Sequence, residues 1–141
     1  MREPVRDRGR LSHMIEAIDC VLRNTQSMGF EDLHRNELEF YGIVKSIEIV
    51  GEAAYRLSKM FKERHPKTPW DGIVKMRHIL VHDYYQVDDK ELWNVIQDDL
   101  PILRQQIMEY ISTVDWDEWE KLSINPSLIS YWSLFLQISV L

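Results

Sequence analysis

From about residue 36 to residue 63, apolar side chains recur at intervals of three and four. Phe40, Val44, Ile47, Val50, Ala54, Leu57 and Phe61 fall on one stripe, and Lys45, Glu48, Glu52, Lys59 and Glu63 on another. That spacing fits the 3.6-residue repeat of an α-helix and not the two-residue repeat of a strand. It predicts a single long helix as the spine of the fold. Ile43 and Ile49 widen the apolar surface beyond one stripe, so the helix is expected to be covered on two sides, by its own chain and by a second copy.

The remaining pattern is helical as well. Leu11, Met14, Ile15, Ile18, Val21 and Leu22 make a one-sided amphipathic helix, and a turn follows at Met28-Gly29-Phe30. His65-Pro66-Lys67-Thr68-Pro69-Trp70 reads as a stop and restart. Each proline disfavours helix in the residue before it, and Thr68 is placed to cap a helix running to about Tyr84. Asp88 and Asp89 are candidate caps for a last helix carrying Leu92, Val95, Ile96, Leu100, Leu103, Ile107 and Ile111. Pro101 should bend or break it, because it removes a backbone donor and crowds the preceding turn. No strand-period alternation, internal repeat or glycine-rich phosphate loop appears. The expected fold is all-α, an antiparallel bundle of four to five helices over residues 1–113. Residues 114–141 are set apart as an acidic and aromatic tail of unassigned role: a docking segment, a return onto the bundle or a poorly ordered end. Its apolar end, Ile129 to Leu141, is shorter than the roughly 20 residues a membrane span requires.

With 141 residues, 45% of them hydrophobic, the chain fits one domain with a genuine core. A single cysteine, Cys20, rules out an internal disulfide framework, and its place on the apolar face of the first helix predicts a buried thiol. Ser12, His13, Glu16 and Asp19 interrupt the segment after the arginine-rich N-terminus, so no signal peptide is expected, and the chain reads as cytoplasmic. A net charge of −6 opposes nonspecific adhesion to nucleic acid, so any RNA contact requires a local basic patch.

One stretch carries chemistry: Arg77-His78-Ile79-Leu80-Val81-His82-Asp83-Tyr84. A guanidinium binds phosphate through paired charge-assisted hydrogen bonds, an imidazole moves protons near neutral pH, and a phenol accepts a transferred group. On a helical wheel Arg77 and Tyr84 are nearly aligned, whereas His82 lies about 140° around the axis from Arg77. Three routes bring Arg77 and His82 to one atom: the helix loosens near His82, Arg77 reaches round, or a symmetry mate supplies part of the site. A cleft at a dimer interface is the favoured reading. His78 and His82 also form a possible two-histidine metal edge, without the HExxH pattern. Trp70, Trp93 and Tyr85 read as core or interface aromatics. Glu52, beside Gly51, is either an orienting carboxylate or a solvated charge, with Gly51 small enough to admit a neighbouring helix.

Three features together resemble the HEPN superfamily of small helical proteins, in particular the HepT-like toxins paired with a minimal nucleotidyltransferase. They are Ile49-Val50-Gly51-Glu52-Ala53-Ala54, Pro69-Trp70, and Arg77-x4-His82-x-Tyr84. The likeness covers about two-thirds of the chain, from Ile15 to Ile111. His78 departs from it, since the family usually has a small polar residue after the arginine. The resemblance implies the toxin of a type VII-like toxin–antitoxin system, a homodimeric, metal-independent RNA endonuclease. In it Arg77 would bind the scissile phosphate and His82 would be the acid/base, leaving a 2′,3′-cyclic phosphate. Glu52 and His78 would orient these side chains. Tyr84 would be the tyrosine to which the partner nucleotidyltransferase adds AMP, with ATP and magnesium held on the partner; no cofactor is implied on this chain. Two other readings stand beside it: a noncatalytic helical dimer serving as scaffold for a nucleotidyltransferase, and a metal-dependent hydrolase using His78 and His82.

Overall fold

The structure is a computed structural model that describes residues 6–124, and every regular element among them is helical. The apolar segment from Ile129 onward lies outside the described residues. In chain order the helices are α1 (Asp7–Thr25), α2 (Glu37–Arg56), α3 (Lys59–Arg64), α4 (Trp70–His82), α5 (Asp89–Asn94), α6 (Leu100–Thr113) and α7 (Trp116–Ile124). The four long ones, α1, α2, α4 and α6, form the bundle, with α2 between α1 and α4 and with α6 against α1. Neighbours run antiparallel. Along α1 and α6, Arg104 meets Asp19 at 2.6 Å, while beyond the end of α6 Trp119 meets Asp7 at the other end of α1.

The long spine is interrupted. Leu57 leaves helical geometry (φ −60°, ψ 145°), and Ser58 caps a separate α3, its hydroxyl accepting the Phe61 N–H. The apolar register runs through the break because Leu57 and Phe61 are both buried. What holds the break is distant in sequence: the Asp7 carboxylate accepts the Ser58 N–H at 2.8 Å, the Ser58 hydroxyl at 2.6 Å and the Trp119 Nε1–H at 2.9 Å.

Thr68 does not cap α4. It is buried, donates its hydroxyl to Gln106 Oε1 at 2.8 Å and meets the Tyr110 hydroxyl at 2.6 Å; Pro69 takes the cap position without a side-chain bond. Asp88 does cap α5, accepting the Lys90 N–H at 2.7 Å. Before Pro101 the chain makes a π-helical turn over Val95–Asp99, and the proline then sits in the first turn of α6, where its missing N–H needs no intrahelical partner. Cys20 is only half-buried, with its sulfur near Asn24 and Ser46, which corrects the expected buried thiol.

Phe61, fully buried, centres an aromatic cluster whose other rings, Trp70, Tyr110, Trp116 and Trp119, stand 5.5–6.1 Å away. Rings at that separation pack edge-to-face or offset, adding dispersion to a large buried area. Trp116 and Trp119 belong to the stretch that the sequence pattern set beyond residue 113, and the structure buries both against the bundle. No helix among the described residues is long and apolar enough to cross a membrane.

Candidate active site

The motif lies on α4 and just past its end. α4 finishes at His82, where the Asp83 N–H bonds the Ile79 carbonyl at 2.7 Å and the backbone turns away (φ −135°) into a 3-10 turn at Tyr84–Gln86. The helix loosens only after His82, so within one copy this route does not bring Arg77 and His82 to one atom. Tyr84 has left the helix, so its alignment with Arg77 two turns back does not hold. It is half-exposed, and its ring stands edge-on to Tyr41 of α2 at 6.4 Å and to Tyr85 at 6.0 Å.

Arg77 faces α2. Its Nη2 lies 2.8 Å from Glu52 Oε2, and its guanidinium covers the Tyr55 ring at 5.7 Å. The contact with Glu52 is an ion pair and not a hydrogen bond, since the N–H is out of line; Glu52 Oε2 and Arg77 Nε are both buried without a hydrogen-bond partner. The approach depends on Gly51. A Cβ there would lie 2.2 Å from the Arg77 Cβ and 3.1 Å from its Cα, so only glycine allows α2 and α4 to meet at this level.

Glu52 is more than a solvated charge. Arg56 Nε donates to its Oε1 at 2.9 Å, and that bond, more than the charges of Arg77, Arg56 and Arg10, holds the Glu52 carboxyl below its ordinary range; partial burial works in the other direction. It stays ionised and anchors Arg77.

His78 and His82 are exposed and stack at 4.7 Å between ring centres. Among the described residues neither bonds Arg77, which turns the other way toward Glu52 and Tyr55. Nor, among the described residues, does any group of three or more His, Cys, Asp or Glu stand ready to hold a metal ion. Of the flagged aromatics, Trp70 is core, Trp93 meets Phe30 edge-on at 6.4 Å, and Tyr85 is 71% exposed.

Arg56 and Arg10 were not singled out from sequence. Arg56 had a signal, the i,i+4 spacing from Glu52 that pairs opposite charges on a helix. Arg10, on α1, had none.

The chain is 33% identical over 101 residues to a protein of Caldanaerobacter subterraneus subsp. tengcongensis named by inference as an RNase, covering 72% of this chain and 90% of that one. It is 33% identical over 94 residues to the "Probable ribonuclease HepT" of Thermococcus cleftensis, covering 67% and 86% respectively. A Methanocaldococcus jannaschii protein, also named by inference as an RNase, is 28% identical over 97 residues, covering 69% and 89%. No solved structure matches at comparable stringency. The model of the family described as "Ribonuclease HepT-like" matches residues 14–110, a span that holds α2, α4, Glu52, Arg77, His82 and Tyr84; the chain belongs to the HepT-like ribonuclease family.

Proposed function

We propose that this chain is a dimeric, metal-independent RNA endonuclease, the toxin of a type VII-like toxin–antitoxin system, with Arg77 and His82 as its catalytic residues. The observation that carries the reading is the pinning of Arg77 by Glu52 across Gly51, on a helix whose last residue, His82, exposes its imidazole for a second copy to approach. A guanidinium fixed in place can stabilise charge developing on a phosphoryl oxygen without reorganising during the reaction. In the step itself the RNA 2′-oxygen attacks phosphorus and the bond to the 5′-oxygen breaks. A proton leaves the 2′-hydroxyl and one arrives on the 5′-oxygen, both through His82, and the product is a 2′,3′-cyclic phosphate.

Dimerisation is supported by the apolar and aromatic side chains that α2, α4 and the turn after it expose. Leu38 is 82% exposed, and Tyr41, Tyr55, Val81 and Tyr84 accompany it. Two copies joined there would face their His82 residues into one cleft. Tyr84 is the modification site in this reading. Its exposed hydroxyl would attack the α-phosphorus of ATP held with magnesium on a minimal nucleotidyltransferase, releasing pyrophosphate, and the added negative charge would repel RNA phosphate. Induced expression in a bacterial host tests the reading. Wild type should arrest growth, while His82→Ala and Arg77→Ala, each purified as a folded dimer, should not; arrest by both folded variants would refute it.

A further inference from the structure

We propose that Arg10 of α1 and Arg56 of α2 form a second phosphate site beside Arg77, holding the RNA backbone next to the scissile phosphodiester. This rests on the nuclease reading above. Three guanidiniums from three helices gather at one carboxylate. Arg77 and Arg56 contact Glu52 at 2.8 and 2.9 Å, and the charge of Arg10 also acts on it. Glu52 and, in the groove beside it, Glu16 stand against three guanidiniums, which leaves one positive charge uncompensated in a chain that is acidic overall.

Arg10 is the least committed of the three. Its Nε is buried without a hydrogen-bond partner, and among the described residues it makes no ion pair. It lines a groove of about 340 Å³ between α1 and α2, together with His13, Glu16, Ile49 and Glu52. Glu16, the other carboxylate of the groove, is six residues further along α1, about 9 Å away by the helical rise. Arginine donors left unused beside a half-neutralised pair suit a planar or tetrahedral oxyanion, which takes two N–H bonds at once.

Because α2 and α4 run antiparallel, the residues follow a fixed order along the bundle axis: Arg10 and Arg56, then Glu52 and Arg77, then His82, then Tyr84 with Tyr41. A phosphate on the Arg10 side is thus a neighbour of the one at Arg77, on the side away from Tyr84. This is the local basic patch that an acidic chain needs in order to bind RNA.

The test compares wild type, Arg10→Gln and Arg10→Lys on two substrates, a mixed-sequence single-stranded RNA oligonucleotide and mixed dinucleoside monophosphates, whose only phosphate is the scissile one. For Arg10→Gln the expected result is about a tenfold loss in kcat/KM on the oligonucleotide, mainly through KM, and none on the dinucleotides. Arg10→Lys should recover part of the loss. In a His82→Ala background, the slope of log affinity against log salt should flatten by about 0.7, the value for one lost single-strand phosphate contact. If wild type leaves dinucleotides uncut, the salt slope alone decides. Equal losses on both substrates, or an unchanged slope and KM with thermal unfolding also unchanged, would overturn the second site while leaving the nuclease reading intact. Failure of wild type to bind or cut any RNA would remove the nuclease reading, and this proposal with it.

Discussion

Replacing Gly51 by alanine tests the central packing geometry, because local and tertiary effects oppose each other there. In an isolated helix the change is favourable by about 0.5–1 kcal/mol, since alanine loses less backbone entropy. In this bundle the new methyl would sit 2.2 Å from the Arg77 Cβ and 3.1 Å from its Cα, both rigidly attached to α4. Restoring ordinary contact at 3.4 Å requires the two helices to part by about 1.2 Å along that line. Overpacking of this kind costs about 1–3 kcal/mol and outweighs the helical gain, so net destabilisation of about 1–2 kcal/mol is expected in chemical unfolding. Parting α2 from α4 also moves Arg77 off Glu52. In the catalytic role proposed for Arg77, a displacement near 1 Å costs on the order of a hundredfold in rate, so cleavage should fall by about that factor. Gly42→Ala is the internal control. It lies on the same helix with nothing within 4 Å of its virtual Cβ, and should stabilise by the full helical increment with normal activity. If Gly51→Ala were as stabilising as Gly42→Ala and cleaved RNA normally, the close approach of Arg77 to α2 would be wrong.

Phe61→Ala should cost about 3–5 kcal/mol in urea unfolding, because it empties the middle of a buried aromatic cluster. Ending the chain after Thr113 should also destabilise the bundle, since it uncovers Phe61 and removes the Trp119 donor to Asp7; an unaltered unfolding midpoint would show that α7 contributes nothing to the core. Burial between Phe61 and Tyr110, helped by the neighbouring Arg64 charge, lowers the His65 pKa from its ordinary 6.5, so the neutral ring is the native form. The unfolded chain then binds the extra proton first. Stability should fall as pH drops through about 6.5 and level off below the folded pKa, and His65→Gln should flatten that part of the curve. Glu52→Gln removes the charge that anchors Arg77 while keeping the shape. RNA cleavage should drop, by at least tenfold, with little change in KM for a positioning role, whereas equal rates would make Glu52 a bystander.

The helices were legible because their apolar periodicity is a local property, and α1, α2, α4 and α6 follow it. The misreadings have one physical source, side chains that find distant partners. Leu57 and Phe61 keep the helical register across a real break, and the carboxylate that holds the break, Asp7, is 51 residues away. Thr68 has the composition of a cap but bonds Gln106 and Tyr110 on α6. Trp116 and Trp119, three apart, carried a helical signal that the surrounding acidic residues obscured. At the site, Gly51 beside Glu52 was readable as a close-approach position, and the structure puts Arg77 there. The end of α4 just after His82 has no local signal as strong as the apolar periodicity, because Asp83 and Tyr84 continue the pattern without a proline or glycine stop. Arg10 could not be found from sequence, because its proximity to Glu52 exists only once α1 packs on α2.

The most direct test is chemical. Purified wild type and His82→Ala, both unmodified and folded, are incubated with total RNA in excess chelator, and the new 3′ ends are mapped. The expected result is cleavage by wild type alone, undiminished by chelator, with 2′,3′-cyclic phosphate ends. Cleavage that disappears with chelator, or that persists in His82→Ala, would contradict it.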